Sequence, residues 1–295
     1  MPSEEKEIVR AVDKPRWWEG SNKSYHAAKG YVSATALISF MRSVESYYHK
    51  FVSDEYDEPK PSKALNFGSA FHVMTLEPEN WDDEVAITPN CKKTTVANKQ
   101  IWEQFENKNG NKIKISPAEH EAMKEMLEHL KEDTEASKWL WGYEDTKYEV
   151  GLLWKDHLSG VGCKCRPDGY IPSENVILNL KTSADPSLDG IAKSMANFGY
   201  HNQAAFYMEG LYEMTGEWPR HISIIVGTKA PYEVACVEYS EKSIRLARLQ
   251  NERALRELVG YRRSNDWKGR TSNKLIEVDL PAWAYRGYEE FLKTD

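Results

Sequence analysis

The spacing of hydrophobic residues changes near Trp141, and this change limits the fold to a mixture of helices and strands. Before Trp141, apolar residues recur every three or four positions, as over residues 33–51, where they predict a buried amphipathic helix that includes Tyr48 and Phe51. After Trp141, short runs with alternating apolar residues predict strands. We therefore expect an α/β fold with a central mixed β-sheet flanked by helices.

Capping and turn residues set the predicted limits of the elements. Ser33 and Ser116 are predicted N-caps, and Pro117 and Glu119 complete a capping box at the second of them. The predicted helices cover residues 33–51, 63–76, 117–130, 191–215 and 243–263, with a short helical piece around 101–105. The predicted strands cover residues 148–154, 161–165, 176–180, 222–227 and 232–238, and the first three are expected to form a meander.

The N-terminal segment differs from the rest of the chain. Residues 1–30 are polar without a sustained hydrophobic period, so we predict an arm that lies on the body of the protein or on a partner. Trp17 and Trp18 in this arm are expected to pack against the body. No linker is long enough to force a further division, so residues 31–295 are predicted to form one domain with an N-terminal helical cover.

The composition excludes two classes of protein. With 40% hydrophobic and 29% charged residues, the chain is too apolar for a disordered protein and too charged for a membrane protein. No signal-peptide-like segment opens the sequence and no run of about 18 apolar residues occurs, so we expect a cytoplasmic protein without membrane contact. The net charge of −7 by itself argues against a protein coated in nucleic acid, but an acidic exterior can coexist with a basic path on one surface, so the charge does not decide whether DNA is the substrate.

One segment carries polar residues in a pattern that suits metal-assisted phosphate chemistry. It contains Arg-Pro-Asp at residues 166–168 and, after ten more residues, Asn-Leu-Lys at residues 179–181. Side chains alternate along a strand, so Asn179 and Lys181 share a face, and the turn at Asp168 would bring its carboxylate beside them. Oxygen ligands of this kind hold Mg²⁺ or Mn²⁺, and the ammonium steadies the attacking water or the developing charge.

These residues resemble the PD-(D/E)xK motif of a nuclease superfamily, with Asn179 at the second acidic position. Upstream, residues 68–72 (Gly-Ser-Ala-Phe-His) resemble the G-x-x-x-H motif of RecB-type nucleases, in which the histidine is a metal ligand. Downstream, residues 203–207 (Gln-Ala-Ala-Phe-Tyr) resemble their Q-x-x-x-Y motif, whose polar side chains lie one helical turn apart.

Longer stretches resemble one branch of that superfamily, the RecE-type phage recombination exonucleases of the exonuclease VIII family. The similar stretches are residues 162–169, 178–185, 200–207 and 279–283, and the resemblance extends over about residues 32–288. It implies a PD-(D/E)xK core and a Mg²⁺-dependent 5′-to-3′ exonuclease, with Mn²⁺ as an alternative ion. Such an enzyme degrades double-stranded DNA from its ends and leaves 3′ single-stranded tails. It also implies a homo-oligomeric ring around DNA and a single-strand annealing protein as partner.

The resemblance also implies roles for individual residues. His72, Asp168 and the residue at position 179 would hold the metals, with the backbone carbonyl of Leu180 as an additional ligand. Lys181 would orient or activate the attacking water. The remaining two motif residues, Gln203 and Tyr207, would position the scissile phosphate and the terminal nucleotide. A further acidic ligand is predicted at Glu149, on the strand before the hairpin.

Asn179 departs from the motif. A carboxamide offers a metal one carbonyl oxygen and no charge, so a site meant for two divalent ions loses one negative charge. Each 1.36 kcal/mol of lost transition-state stabilisation lowers the rate about tenfold, and we therefore expect this chain to turn over little substrate. Two origins are open: an engineered Asp-to-Asn change in an otherwise intact site, or a natural inactive relative.

Hypotheses from other classes make different predictions. A non-catalytic DNA-end-binding or assembly protein would keep the fold and show DNA binding without metal dependence. A restriction endonuclease would share the core motif, but is not expected to carry the His72, Gln203 and Tyr207 elements.

We expect the purified protein to be colourless. Iron–sulfur nucleases of the RecB type need four grouped cysteine ligands, and the four cysteines here, at positions 91, 163, 165 and 236, lack that grouping. A visible absorption spectrum of the protein purified without air tests this expectation, and a brown protein with bound iron would contradict it.

Overall fold

A computed structural model describes residues 13–18, 22–28, 30–53, 55–57, 59–269 and 271–288. The strands are β1 (Arg16–Trp18), β2 (Val85–Ile87), β3 (Ile113–Ile115), β4 (Lys147–Tyr148), β5 (Gly151–Lys155), β6 (Gly162–Cys165), β7 (Gly169–Ile171), β8 (Val176–Ser183), β9 (Arg220–Gly227) and β10 (Val234–Glu238). The helices are α1 (Asn22–Ala27), α2 (Ala34–Arg42), α3 (Val44–Tyr47), α4 (Lys63–Leu76), α5 (Trp81–Glu84), α6 (Val96–Asn109), α7 (Pro117–Glu132), α8 (Thr134–Trp141), α9 (Leu188–Phe198), α10 (Tyr200–Thr215) and α11 (Glu241–Ser264). A π-helical turn spans Tyr48–Val52, and 3₁₀ turns span Pro78–Asn80, Pro172–Glu174 and Ala282–Tyr285.

The central sheet has five strands in the order β10-β9-β8-β7-β4. Strands β8 and β9 are parallel and the other neighbours are antiparallel, which confirms the predicted mixed α/β class. Strand β8 pairs with β9 over its whole length, and its side chains alternate between the two faces of the sheet. Leu178 and Leu180 are buried in the core on one face, so Asn179 and Lys181 are placed on the other face, as predicted.

Helices cover both faces of this sheet. On one face α4, α7 and α8 bury a core whose largest members include Phe71, Met123, Met126 and Leu140. On the other face Leu211 of α10 packs against Tyr170 and Ile177. Helix α10 also packs on a second, antiparallel sheet of order β1-β5-β6, where α2 and α11 complete a separate core around Trp154 and Phe206. The functional strand β8 therefore lies between two layers of helices.

The chain crosses between the two sheets twice in succession, and the predicted meander of residues 148–154, 161–165 and 176–180 is wrong for that reason. Strand β4 belongs to the central sheet and β5 to the smaller one, and the break between them lies at Glu149, which has a left-handed φ of 50°. After β6 the chain returns to the central sheet as β7, a three-residue strand too short to show alternation. Strand β7 then pairs with β8.

The predicted helix at residues 191–215 is two helices. Gly199 has a φ of 72°, a left-handed conformation that ends α9, and α10 begins at the next residue. A β-carbon at Gly199 would lie 3.2 Å from the side chain of Ile38, so glycine is favoured there by both space and backbone.

The predicted helix at residues 33–51 is also interrupted. Ser43 is extended, with a φ of −156° and a ψ of 117°, and its hydroxyl oxygen accepts from Ser46 N to start α3. The π-helical turn that follows exposes 37% of Tyr48 and 39% of Phe51, so these two residues were wrongly predicted to be buried.

Other sequence predictions fare differently. Helix α4 has the predicted bounds, and α7 begins with the predicted capping box, in which Ser116 N donates to the Glu119 carboxylate. Helix α6 is longer than the short piece predicted, since residues 96–109 all join it. Helix α8 and the parallel pair of β2 and β3 were not predicted.

Part of the predicted arm lies on the body. Strand β1 pairs with β5, and Trp17 packs against Tyr170 with ring centroids 5.8 Å apart. Residues 1–12, 19–21 and 29 lie outside the described residues, so the division into an arm and a domain stays a prediction. Where the chain is described, no helix combines the length and apolar character needed to cross a bilayer.

We expect Gly210→Ala to destabilise the protein and Gly260→Ala to stabilise it. A β-carbon at Gly210 of α10 would lie 2.8 Å from the fully buried Trp154 ring, and such overpacking costs about 1–3 kcal/mol. A β-carbon at Gly260 of α11 meets nothing within 4 Å, so alanine gains about 0.5–1 kcal/mol of helix propensity. Urea unfolding of both variants measures the two shifts. Equal shifts of the same sign would contradict the packing of α10 on β5.

Candidate active site

Two carboxylates lie where the chain crosses between the sheets, and a histidine from α4 faces them. Glu149 lies between β4 and β5, Asp168 lies between β6 and β7, and Glu149 N donates to the Asp168 carbonyl oxygen over 3.1 Å. One ligand atom from each of His72, Glu149 and Asp168 lies within 4.8 Å of the other two, and all three side chains are partly buried. The structure thus brings together three of the predicted metal ligands.

The backbone of Leu180 fixes two of these ligands. Leu180 N donates to Asp168 Oδ2 over 2.6 Å, and the Leu180 carbonyl oxygen lies 2.8 Å from His72 Nε2. We assign the His72 proton to Nε2, because a carbonyl oxygen can only accept. Nδ1, which lies 3.8 Å from Asp168 Oδ2, is then the free ligand atom. Leu180 therefore orients His72 and Asp168 through its peptide groups. Its role as a metal ligand through the carbonyl stays a prediction.

Glu149 is held by Arg166, whose role the sequence analysis missed. Arg166 Nε donates to Glu149 Oε2 over 2.8 Å, and both side chains are largely buried, with 13% and 17% of their surfaces exposed. Burial and the neighbouring Asp168 carboxylate raise the pKa of Glu149 to about 7, against the opposing effect of Arg166. The available signal was the position of Arg166 two residues before Asp168, since short loops bring such neighbours into one site.

Asn179 and Lys181 form a pair beside the cluster. Only one orientation of the Asn179 amide matches donors with acceptors: its nitrogen donates to the Leu178 carbonyl oxygen over 3.0 Å, and its oxygen accepts from Lys181 Nζ over 3.1 Å. Asn179 is 1% exposed, and Lys181 Nζ also lies 5.3 Å from the centre of the Tyr200 ring. Burial lowers the pKa of Lys181, although Asp168 and Glu149 oppose the shift.

Gln203 and Tyr207 lie one turn apart on α10, beside the Asn179–Lys181 pair. Gln203 Nε2 donates to the Tyr207 hydroxyl oxygen over 3.0 Å. Gln203 Oε1 lies 3.4 Å from the Asn179 atom that faces Lys181, which is the amide oxygen in the orientation given above, so Gln203 and Asn179 are in contact without a hydrogen bond. Burial is the main cause that raises the pKa of Tyr207, which therefore stays a neutral hydroxyl donor. Both predicted residues thus lie on the face of the site opposite α4.

A divalent cation fits the three-ligand cluster. Two carboxylates and one imidazole are ligands for divalent cations, and the second partners of His72 and Asp168 come from Leu180, as in well-ordered metal sites. The cluster borders a cleft of about 880 Å³, which leaves it open to a large substrate.

A second group of possible ligands is less suitable. His157, Glu209 and Glu213 also place ligand atoms within 4.8 Å of one another. Glu213 already bonds His157 Nδ1 over 2.8 Å, and Arg248 Nε lies 3.4 Å from Glu209. Arg248 and His157 thus already occupy these carboxylates.

Comparison with known proteins supports the fold. A family model for a PDDEXK-like domain of unknown function (DUF3799) matches residues 33–273. The crystal structure of a "Putative exonuclease" from Eubacterium rectale is similar over 92% of this chain and 99% of its own, with 14% identity and a TM-score of 0.62. A phage related exonuclease from Haemophilus somnus 129PT matches 80% of this chain and 96% of its own with 12% identity. Its TM-score of 0.32 is too low to indicate a shared fold. No curated protein sequence matches.

We expect Glu149→Gln to change how stability depends on pH in metal-free protein. A carboxyl whose pKa rises from 4.5 to about 7 on folding opposes folding once it must ionise. The resulting loss of folding stability is therefore absent below pH 4.5, grows between pH 4.5 and about 7, and is complete above that pH. Relative to the parent chain, the variant gains stability as the pH rises from about 5 to 8, by up to roughly 3 kcal/mol at 1.36 kcal/mol per pKa unit.

Urea unfolding in the presence of a chelator measures this difference. Glu103→Gln, on the exposed surface of α6, is the matched control and removes the same charge away from the site. A Glu149→Gln difference that stays flat, or that shrinks as the pH rises, would contradict the raised pKa.

Proposed function

This chain belongs to the PDDEXK-like domain family DUF3799, and we propose that it is a divalent-metal-dependent nuclease acting on the ends of double-stranded DNA. The observation that carries the proposal is the cluster of His72, Glu149 and Asp168 beside Lys181, at the edge of an open cleft. The finer assignment, a 5′-to-3′ exonuclease that leaves 3′ single-stranded tails for phage-type recombination, rests on the resemblance to the RecE-type enzymes.

The residues of the cluster would divide the work between holding an ion and handling the phosphate. His72, Glu149 and Asp168 would hold Mg²⁺ or Mn²⁺, which supplies Lewis acidity toward a phosphate oxygen when bound. Lys181 has an ammonium that interacts electrostatically with Asp168 and Glu149 and a pKa that burial lowers, which suits a group that orients water and handles a proton. The Tyr207 hydroxyl and the Gln203 amide supply neutral donors for phosphate oxygens.

Asn179 explains why this chain would bind DNA better than it cleaves it. Its amide oxygen is directed at Lys181, where an aspartate would place a negative charge. That charge would add to Glu149 and Asp168 and strengthen the hold on divalent ions. With asparagine the ligands of the three-residue cluster remain, so metal binding and DNA binding are expected to persist while turnover falls.

The same residue favours a second candidate function. A chain that lacks one charge of the motif could serve as a non-catalytic DNA-end-binding or assembly protein with the nuclease fold. The resemblance also supports two proposals on assembly: a homo-oligomeric ring, and a single-strand annealing protein as partner.

We expect Asn179→Asp to raise the rate of degradation of linear duplex DNA in Mg²⁺ by at least about tenfold, which corresponds to 1.36 kcal/mol of transition-state stabilisation. The rate is measured from the release of nucleotides from an end-labelled linear duplex, with a closed circular plasmid as a substrate that has no ends. Cleavage of the circle would indicate an endonuclease instead.

Two further variants in the Asn179→Asp background serve as controls. Asp168→Asn removes a ligand and Lys181→Ala removes the ammonium, and each is expected to abolish the restored activity. An Asn179→Asp protein that binds DNA without a metal requirement and leaves linear duplex intact would refute the catalytic assignment and support the DNA-end-binding alternative.

A further inference from the structure

Aromatic side chains line the cleft at a distance from the metal ligands. Tyr47, Phe51 and Trp267 all border the same cleft as His72, Glu149 and Asp168, and we call these three aromatic residues the aromatic wall. The ring centroids of Tyr47 and Phe51 are 5.5 Å apart and those of Tyr47 and Trp267 are 5.8 Å apart. The planes within each pair are tilted by 34° and 32°, so the three rings form one contiguous aromatic cluster around Tyr47.

The aromatic wall is exposed at Phe51, whereas Tyr47 is a core residue with 2% of its surface exposed. Phe51 is 39% exposed and Val52 is 41% exposed, although the hydrophobic period of the sequence favours burial at position 51. The cause is the π-helical turn at Tyr48–Val52, which closes with Ser53 N donating to the Tyr48 carbonyl oxygen over 2.8 Å. Such turns recur at functional sites. Exposed apolar groups next to a polar cleft mark a surface that binds something.

Two cations accompany the aromatic wall. Lys50 Nζ lies 5.4 Å from the centre of the Phe51 ring, and Arg262 borders the cleft together with Tyr47. Both side chains are exposed and border the cleft, and among the described residues neither makes an ion pair with a carboxylate. The wall therefore combines apolar rings with positive charge that forms no ion pair within the described part of the chain.

We propose that the aromatic wall binds unpaired nucleotides of the DNA strand whose phosphate lies at the metal cluster. This inference rests on the proposed function and extends it to a binding subsite. Unpaired bases stack on aromatic rings regardless of sequence, and neighbouring lysines and arginines bind their phosphates. A base pair inside a duplex hides both faces of its bases, so the wall selects a strand that has come apart near the end. The aromatic wall and the metal cluster border the same cleft, so one DNA strand could contact the wall with its bases and the cluster with a phosphate.

The proposal is tested by fluorescence anisotropy with a labelled oligothymidylate in a chelator, where nothing can be cleaved. Phe51→Ala is expected to weaken binding at least about fivefold, since each stacked base contributes roughly 1–3 kcal/mol. Phe51→Leu keeps the apolar volume and is expected to weaken binding as well, whereas Phe51→Tyr retains stacking and affinity. Trp141→Ala removes an aromatic ring of similar exposure, 38%, away from the cleft, and is the matched control.

Lys50→Gln gives an independent readout that does not depend on the aromatic residues. It is expected to reduce the slope of log affinity against log salt concentration by about 0.7, the value for one phosphate contact on a single strand. Unchanged affinity in Phe51→Ala together with an unchanged slope in Lys50→Gln would overturn the proposal. A changed light-scattering mass in Phe51→Ala with unchanged oligothymidylate binding would overturn it in favour of a protein interface.

Failure of this proposal and failure of the proposed function give different results. If Asn179→Asp degrades linear duplex but Phe51→Ala binds oligothymidylate normally, the nuclease assignment stands and the aromatic wall does not bind DNA. If Phe51→Ala loses binding while Asn179→Asp has no activity in Mg²⁺, the wall binds a single strand on a protein that is not a nuclease.

Discussion

The peptide group of Leu180 is the constraint on which the candidate site depends. Its N–H fixes the Asp168 carboxylate and its carbonyl fixes the His72 ring, so one residue of β8 aligns ligands from a loop and from α4. The position of the Leu180 peptide group is well defined because β8 pairs with β7 on one side and with β9 on the other. Hydrogen bonds to a charged acceptor inside a protein contribute about 1.5–3 kcal/mol, and here they also determine geometry.

The electrostatic design of the site is a balance between buried charges. Glu149 and Asp168 repel each other, and Arg166 offsets part of that repulsion by bonding Glu149. A buried ion pair of this kind adds little net stability, because both groups lose their hydration. Its value here is positional: Arg166 holds Glu149 near Asp168 in the absence of an ion, so less rearrangement is needed when a cation binds.

Features decided by local sequence were predictable. The capping box of α7 and the alternation along β8 involve residues close in sequence, and both were placed correctly. Features decided by tertiary contacts were not. The left-handed Glu149, the three-residue β7 and the pairing of Arg166 each depend on two sheets meeting, which no short window of sequence reports. The exposure of Phe51 was missed because the prediction assumed the 3.6-residue period of an α-helix, whereas the chain forms a wider π-helical turn at Tyr48–Val52.

Because the chain crosses twice between the two sheets, an ion at the cluster would also link the two sheets to each other. Glu149 connects β4 to β5 and Asp168 connects β6 to β7, so each carboxylate lies on a connection between the two sheets. His72 belongs to α4, which packs on the central sheet. An ion shared by these three groups would tie together segments distant in sequence, as a disulfide does, and would do so reversibly. Binding of a metal ion would then stabilise the junction of the two sheets as well as complete the site. The rigidity of the cleft would therefore increase with the concentration of the ion.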